Sequence, residues 1–542
     1  MAKKSLVKGA AILAVAGLLV KFLGAFFRIP LANWIGDAGM ANYSPAYNIY
    51  GFLLVFATAG LPVAISRMVA ERCAVGQFRE AERVFKLSRM LMMMIGVIGF
   101  CLLFFFADWI AARVNLPDSA LAMRATAPAL LLVPLMSSYR GYFQGMQEMT
   151  PTALSQVVEQ VFRVGCGLAL AWILMHSGST FGTYRTEVLG AAGGCFGASA
   201  GAVGGLTVML LIYFMVRGKI KRRIRNDRTA ERESNGTILK KIAAIAIPVT
   251  LGSAIMPIVN LIDSGIVMTR LLAAGIDHAA AESMLGQLTG FASPIIAFPE
   301  VLLQAIVVSL VPMVSAANRM KNRAELHWNI TLGMRMTTII ALPCAAGLFT
   351  LAVPVMTLLY PSQAASAAGA GPCMQILSIG FIFLAIITVI TGALQGIGKQ
   401  AFPVINLFIG VLVKFAVTWT LTAVPAINVK GAAIGTACAY LVAAGLDLMA
   451  LKRFTRIKLS AKQLIVKPLI ASVIMGIIVF FVYKGVYLVL SSNSFATLVS
   501  ILIGVVVYGL MILRIKAITR EEMMGIPVGA KLAVICDKLH LW

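Results

Sequence analysis

Two cations, Lys21 and Arg28, stand seven residues apart in an otherwise apolar stretch near the start of the chain. Seven residues is nearly two turns of α-helix, so both side chains project from one face. No Asp or Glu lies on that stretch, residues 9–34, to neutralise them. An ionised group in hydrocarbon costs about 2.5–3.5 kcal/mol on insertion scales and usually faces a hydrated cavity or a partner. The pair suits capture of an anion, because arginine grips phosphate bidentately while lysine acts as a point charge. Arg67, Arg140, Arg163, Arg270 and Lys414 also interrupt apolar stretches. Arg67 and Arg270 lie near segment ends, where a long stem can equally carry the charge to the membrane surface. Glu159 and Arg163 have the i,i+4 spacing of a local ion pair.

Acidic groups in apolar sequence are few: Glu159, Asp263, Glu300 and Asp447. Asp263, deep in its segment, is the leading candidate for a proton or sodium site. Glu300 follows Pro299, and with Pro294 the two prolines remove backbone donors and kink the helix. A hinge or broken-helix ion site is the functional reading of that kink. Asp447, close to Lys452 and Arg453, reads as a structural helix-end residue. No His/Asp/Glu cluster and no long outer loop is present, so a membrane glycosyltransferase or ligase is not supported and an enzyme is not expected. The eight cysteines are scattered without a CxxC pair, which supports neither a zinc site nor a disulfide framework.

The elements that must position these residues are membrane helices. Hydrophobic residues make up 60% of the 542 and charged residues only 12%, against about a quarter charged in soluble domains. Apolar stretches of roughly 20 residues or more, long enough to cross a bilayer, recur from end to end. They predict an all-α polytopic protein of about fourteen transmembrane helices. The net charge of +25 resides in short connections and isolated positions, which argues against a nucleic-acid partner. Bases cluster in alternate loops (Arg72–Arg89, Arg217–Lys241, Arg319–Arg323, Lys452–Lys458). By the positive-inside rule these are cytoplasmic, and an even helix count then puts both termini inside a bacterial plasma membrane. The lysine-flanked N-terminal stretch lacks a small-residue cleavage site and reads as an uncleaved first helix.

An internal repeat is visible in Gly141-Tyr142-Phe143-Gln144-Gly145 with Pro151, and Gly392-Ala393-Leu394-Gln395-Gly396 with Pro403. Its offset of six helices implies two six-helix halves in parallel orientation, related by a pseudo-twofold along the membrane normal. The expected organisation is a bundle over 1–216, a basic cytoplasmic linker at 217–240, and a second bundle over 241–452. Two additional helices at 453–517 and an amphipathic cytoplasmic tail at 518–542 follow, the tail lying along the inner leaflet.

Leu19–Ala32 with its Lys21 and Arg28, the Ile35-Gly36-Asp37 turn and Ala59–Arg67 resemble one branch of the MOP exporter superfamily. That branch holds polysaccharide biosynthesis and stage V sporulation B proteins; the superfamily also holds MurJ-like lipid II flippases and MATE drug antiporters. The resemblance implies two bundles in a V around a central cavity, with a lipid-facing groove on the last two helices. It implies translocation of an undecaprenyl-diphosphate-linked cell-envelope precursor, the lipid-linked sugar diphosphate and membrane lipids being the partners. Lys21, Arg28 and Arg67 match its cationic cavity positions, with Arg140 and Arg270 as further substrate-binding candidates. Asp263, Asn406 and Thr436 match part of a sodium site, with Glu300 a further ion-coupling candidate, so coupling to Na+ or H+ is implied. Departures from the flippase pattern are Ile29, Gly410 and the arginine-free Leu288–Pro294. A cation-exporting antiporter is the rival reading.

Overall fold

The computed structural model describes residues 2–177, 184–227 and 233–515, with side chains described from residue 12 onward except Ala14. The amphipathic tail expected at 518–542 lies outside the described residues. Among these residues there is no strand. The chain forms α1 (Ala2–Thr58), α2 (Gly60–Ala74), α3 (Phe78–Phe105), α4 (Ala107–Arg113), α5 (Ser119–Gly145), α6 (Thr150–His176) and α7 (Thr186–Asn226). It continues through α8 (Asn235–Ile262), α9 (Met268–Ala273), α10 (His278–Gly286), α11 (Ser293–Arg319), α12 (Arg323–Thr350) and α13 (Ala352–Leu359). The last helices are α14 (Ala364–Gly396), α15 (Ala401–Leu421), α16 (Lys430–Thr455), α17 (Lys467–Leu490) and α18 (Asn493–Arg514).

Thirteen described helical stretches are long and apolar enough to cross a membrane, the first being the 60-residue Val15–Ala74. One crossing takes about 20 residues. Within that stretch Gly36 has φ 68° and ψ −171°, a conformation glycine adopts without penalty. In a straight helix Arg28 and Tyr47 would stand about 28 Å apart at 1.5 Å per residue. The Arg28 guanidinium instead lies 5.8 Å from the Tyr47 ring centroid, so the chain doubles back at Gly36. The stretch therefore makes two crossings, which gives the expected fourteen.

The helices form two compact units, Met1–Gly290 and Phe291–Trp542. In the first, α7 lies against α6 through a glycine stripe. A Cβ on Gly197 would stand 2.5 Å from the Arg163 carbonyl, and one on Gly201 2.6 Å from the Glu159 carbonyl. Small residues let the two backbones meet, and this approach fixes the turns of α6 that carry Glu159 and Arg163. In the same unit Gly141 and Gly145 of α5 press on the Pro62 and Ser66 carbonyls of α2. In the second unit Gly392 and Gly396 of α14 press on Val307 and Val314 of α11. The repeated glycine pairs thus serve the same contact within each unit.

Wide π-helical turns occur at Asp263–Val267, Gln287–Ala292 and Lys462–Val466. The second directly precedes Pro294. A proline in a regular helix clashes with the carbonyl four residues back, here that of Gly290, and the wider turn relieves it.

Candidate anion-binding site

The first unit sets two guanidinium groups on one carboxylate and a third, that of Arg28, over a tyrosine pair one of them touches. Glu159 on α6 takes Arg163 Nη2 on Oε1 at 3.0 Å and Arg140 Nη2 on Oε2 at 2.9 Å. Arg140 Nε also donates to Ser155 Oγ at 2.8 Å, and Arg163 Nη1 to the Tyr47 hydroxyl at 3.0 Å. Tyr47 stacks on Tyr43 with ring centroids 5.6 Å apart and planes 13° from parallel. Arg28 lies over both rings, 6.0 Å from the Tyr43 centroid and 5.8 Å from that of Tyr47. Such cation–π contact contributes about 0.5–2 kcal/mol depending on exposure. It leaves the five N–H donors of a guanidinium available to an anion. No carboxylate pairs with Arg28 among the described residues.

The Glu159–Arg163 pair expected from spacing is present, but its acid is shared with Arg140 from another helix. Lys21 is exposed, two turns earlier on α1, with no ion pair among the described residues. Arg67 is exposed on α2 and bonds Glu71 at 2.9 Å. Arg270 is half-buried on α9, beside Thr269, whose hydroxyl accepts from Asn115 Nδ2 at 2.9 Å. The structure therefore brings Arg28 and Arg140 together through Tyr47, Arg163 and Glu159, and places Lys21, Arg67 and Arg270 elsewhere in the unit.

Asp263 opens the first π-turn and is half-buried. Its neighbour Ser264 accepts from Asn48 Nδ2 of α1 at 3.0 Å. In the second unit Glu300 accepts from Gln304, one turn on, at 3.4 Å. Asn406 donates Nδ2 to Asp447 Oδ1 at 2.7 Å, while the Thr436 hydroxyl donates back to the Ala432 carbonyl of its own helix at 3.1 Å. Gly410 brings no side-chain oxygen. A hard cation wants a shell of oxygens, whereas Asn406 turns its N–H toward the neighbouring acid. The residues of this unit, as placed, do not fit a sodium cage.

At the end of the first unit opposite the α2–α3 turn, Arg185 bridges two acids. It bonds both oxygens of Glu282, at 2.7 and 3.0 Å, and Asp118 at 3.2 Å. Hydrogen bonding to Glu282 raises the Arg185 pKa above its ordinary value. Asn42 of α1 donates to the same Glu282 at 2.6 Å, and Asp37 accepts from Ser283 at 2.5 Å. These bonds tie α10 to the first unit.

Residues 6–318, more than half of the chain, match the family described as polysaccharide biosynthesis protein. The chain belongs to that family. The lipid II flippase MurJ of Bacillus subtilis is 28% identical over 486 residues, covering 88% of each chain. Among solved structures, an inward-facing MATE multidrug transporter of the MOP superfamily superposes with TM-score 0.67 at 16% identity, covering 81% of this chain and 94% of that one. The lipid II flippase MurJ in an inward closed conformation gives TM-score 0.65 at 16% identity, covering 92% and 98%. The multi-pass helical fold and the resemblance drawn from motifs between Leu19 and Arg67 are thereby borne out.

In this polysaccharide biosynthesis family member, sequence reasoning missed Tyr43 and Tyr47 as partners of Arg28. Their i,i+4 spacing was the available signal, yet aromatic pairs at that spacing also form ordinary core. It also placed Asp447 at a helix end. The structure buries Asp447 inside α16, eight residues before that helix stops.

Proposed function

We propose that this chain is a flippase that carries an undecaprenyl-diphosphate-linked cell-envelope precursor, lipid II or a related lipid-linked oligosaccharide, across the bacterial plasma membrane by alternating access. The observation that carries this reading is Arg28, seated on Tyr43 and Tyr47 with no carboxylate partner among the described residues, beside two arginines that share Glu159. Three guanidinium groups against one carboxylate leave a cationic excess. A diphosphate–sugar head group is anionic and too polar for hydrocarbon, and paired guanidinium groups match its oxygens bidentately. The polyprenyl tail can stay in lipid, along the exposed apolar faces of α17 and α18. Lys21, Arg67 and Arg270 complete the proposed path as exposed or half-buried cations, and the carboxylates Asp263 and Glu300 are proposed to serve ion coupling, Asn406 and Thr436 being set aside because their placement does not fit a sodium cage. The basic loops and both termini are assigned to the cytoplasmic side.

A drug antiporter for cations shares the fold but would meet repulsion at this site. At an effective dielectric of about 20, like charges 4 Å apart cost roughly 4 kcal/mol. The test is native mass spectrometry or equilibrium binding with undecaprenyl-diphosphate sugars beside ethidium-like cations. Saturable binding of the lipid that depends on Arg28 is expected. Saturable binding of the cations, with none of the lipid and with Arg28 immaterial, would overturn the reading.

A further inference from the structure

A basic surface stands in the second unit where α16 gives way to α17. Five of the eleven residues Lys452–Lys462 are bases: Lys452, Arg453, Arg456, Lys458 and Lys462. All five are exposed, and none forms an ion pair among the described residues. No Asp or Glu occurs between Asp447 and Glu521, and Asp447 is fully buried and bonded to Asn406. The neighbouring α12 brings Glu325, whose Oε2 accepts from Asn322 at 3.0 Å, and with it the exposed Arg323. Bases alone would follow from the sidedness of a loop, but Asp and Glu weigh little in topology and can stand beside them. Around the α2–α3 turn they do: Arg67, Arg72, Arg83 and Lys86 each meet a glutamate, at 2.9, 3.0, 3.4 and 3.8 Å. Compensation of the helix dipole accounts for Lys452 and Arg453 in the last turn of α16. It does not account for Arg456, Lys458 and Lys462 beyond that turn.

The chain that carries these bases is held in place. Ile457 and Leu464 are buried in a core with Leu310 and Val314 of α11 and Leu326 of α12, and Leu459 packs against it. The Thr455 carbonyl lies 2.8 Å from His327 Nε2 of α12, and Arg456 turns the chain at φ 55°. Buried apolar side chains thus alternate with outward bases. An array fixed in this way loses less freedom on binding than a loose basic loop would. Directly after it Ile465, Val466, Leu469 and Ile470 are exposed, and Lys462–Leu490 is long and apolar enough to span a membrane. Free bases and exposed apolar side chains therefore adjoin at the mouth of a spanning helix, the depth at which lipid head groups lie.

We propose that the surface Lys452–Lys462 binds the head groups of anionic phospholipids in the leaflet it faces. The ammonium and guanidinium groups take the phosphates, and Ile465 and Val466 enter the acyl boundary beneath, a contact that a soluble anion would leave unused. The bound lipid holds the junction of α16 and α17 at the membrane surface. The inference stands apart from the substrate reading, because it concerns a different unit and a lipid that is not transported.

Local quenching on the full chain in nanodiscs tests it. Ile465→Trp adds a reporter at an exposed position beside the bases, and its emission is read as the increment over the protein without it. Brominated phosphatidylglycerol and brominated phosphatidylcholine are compared at equal mole fraction. The reporter should prefer the anionic lipid about fivefold or more at low salt, and the preference should fall toward one as ionic strength rises. Lys452→Gln, Arg453→Gln, Lys458→Gln and Lys462→Gln combined should abolish it, Arg456 being kept because its backbone is left-handed. The same number of charges removed from the end of α7, as Lys219→Gln, Lys221→Gln, Arg222→Gln and Arg225→Gln, should leave it in place. Inorganic phosphate at fixed ionic strength should not displace the lipid. Equal quenching by both lipids would overturn the proposal, as would a preference that survives the fourfold variant or is lost equally in the α7 control. Displacement by phosphate would overturn it in favour of a soluble anion. If the fourfold variant fails to fold, Lys458→Gln with Lys462→Gln decides: the preference should drop by at least half, and an unchanged value would overturn the proposal.

Discussion

At Arg28 the sequence offers a charge and the structure supplies the reason it stays charged and available. The ring faces of Tyr43 and Tyr47 support the guanidinium without consuming its N–H donors. Arg28→Ala is expected to weaken binding of a diphosphate lipid by about tenfold or more, because hydrogen bonds to charged groups contribute about 1.5–3 kcal/mol. Arg28→Lys should recover only part of that, since the ammonium keeps charge but loses the planar fork; equilibrium binding on both variants checks the order. Glu159 plays the opposite part, occupying Arg140 and Arg163 as a built-in anion. Glu159→Gln should tighten lipid binding yet slow turnover, and lower stability by about 3 kcal/mol through loss of a buried charge partner. Binding, flipping rate and thermal melting read these three effects separately. Unpaired bases in apolar text were legible as candidate sites because ions in hydrocarbon are costly wherever they occur. Which acid they share was not legible, because Arg140 and Glu159 are brought together by tertiary packing of α5 on α6.

On the scale of helices, the glycine-rich opening of α7 was readable as a packing surface, and its target was not. Its target is the backbone of Arg163 and Glu159, so α7 sets the position of the cation cluster without touching a ligand. Gly197→Ala should force α6 away from α7, costing about 1–3 kcal/mol as overpacking does; thermal melting and lipid binding measured on the same preparation should both fall. A second helix-scale link is Glu233, in the connection before α8. Its oxygens take Arg72 of α2 at 3.0 Å and Lys241 of α8 at 2.7 Å, and the bond from Lys241 leads in holding its pKa below the usual carboxylate range. A depressed folded-state pKa gives stability that is complete above the unfolded value, about 4.3, and is lost as pH falls through the folded one. The melting temperature should therefore drop on acidification in the wild type, and that component should vanish in Glu233→Gln. Helix number was legible because twenty apolar residues satisfy their own backbone only as a helix in lipid. The π-turns were not, since their wide geometry answers local crowding that hydropathy does not register.

For the molecule as a whole, the charge of the site sets what the membrane potential can do. Three guanidinium groups and one carboxylate make the empty cluster cationic by two charges. A doubly ionised diphosphate bound there brings the sum close to zero. Moving one charge through 100 mV is worth about 2.3 kcal/mol, so an inside-negative potential acts weakly on the loaded site. It acts strongly on the empty one, drawing it back toward the cytoplasmic side assigned by the basic loops. The return of the empty carrier, rather than delivery of the lipid, is then the voltage-sensitive step. In vesicles, collapsing the potential with valinomycin and equal potassium on both sides should slow multiple-turnover flipping while leaving a single turnover of preloaded protein nearly unchanged. Glu159→Gln removes the one acid and should make the multiple-turnover rate more steeply voltage-dependent. Equal insensitivity of both regimes, in wild type and variant alike, would show that the arginine cluster does not move through the field, and the alternating-access assignment of that cluster would fail.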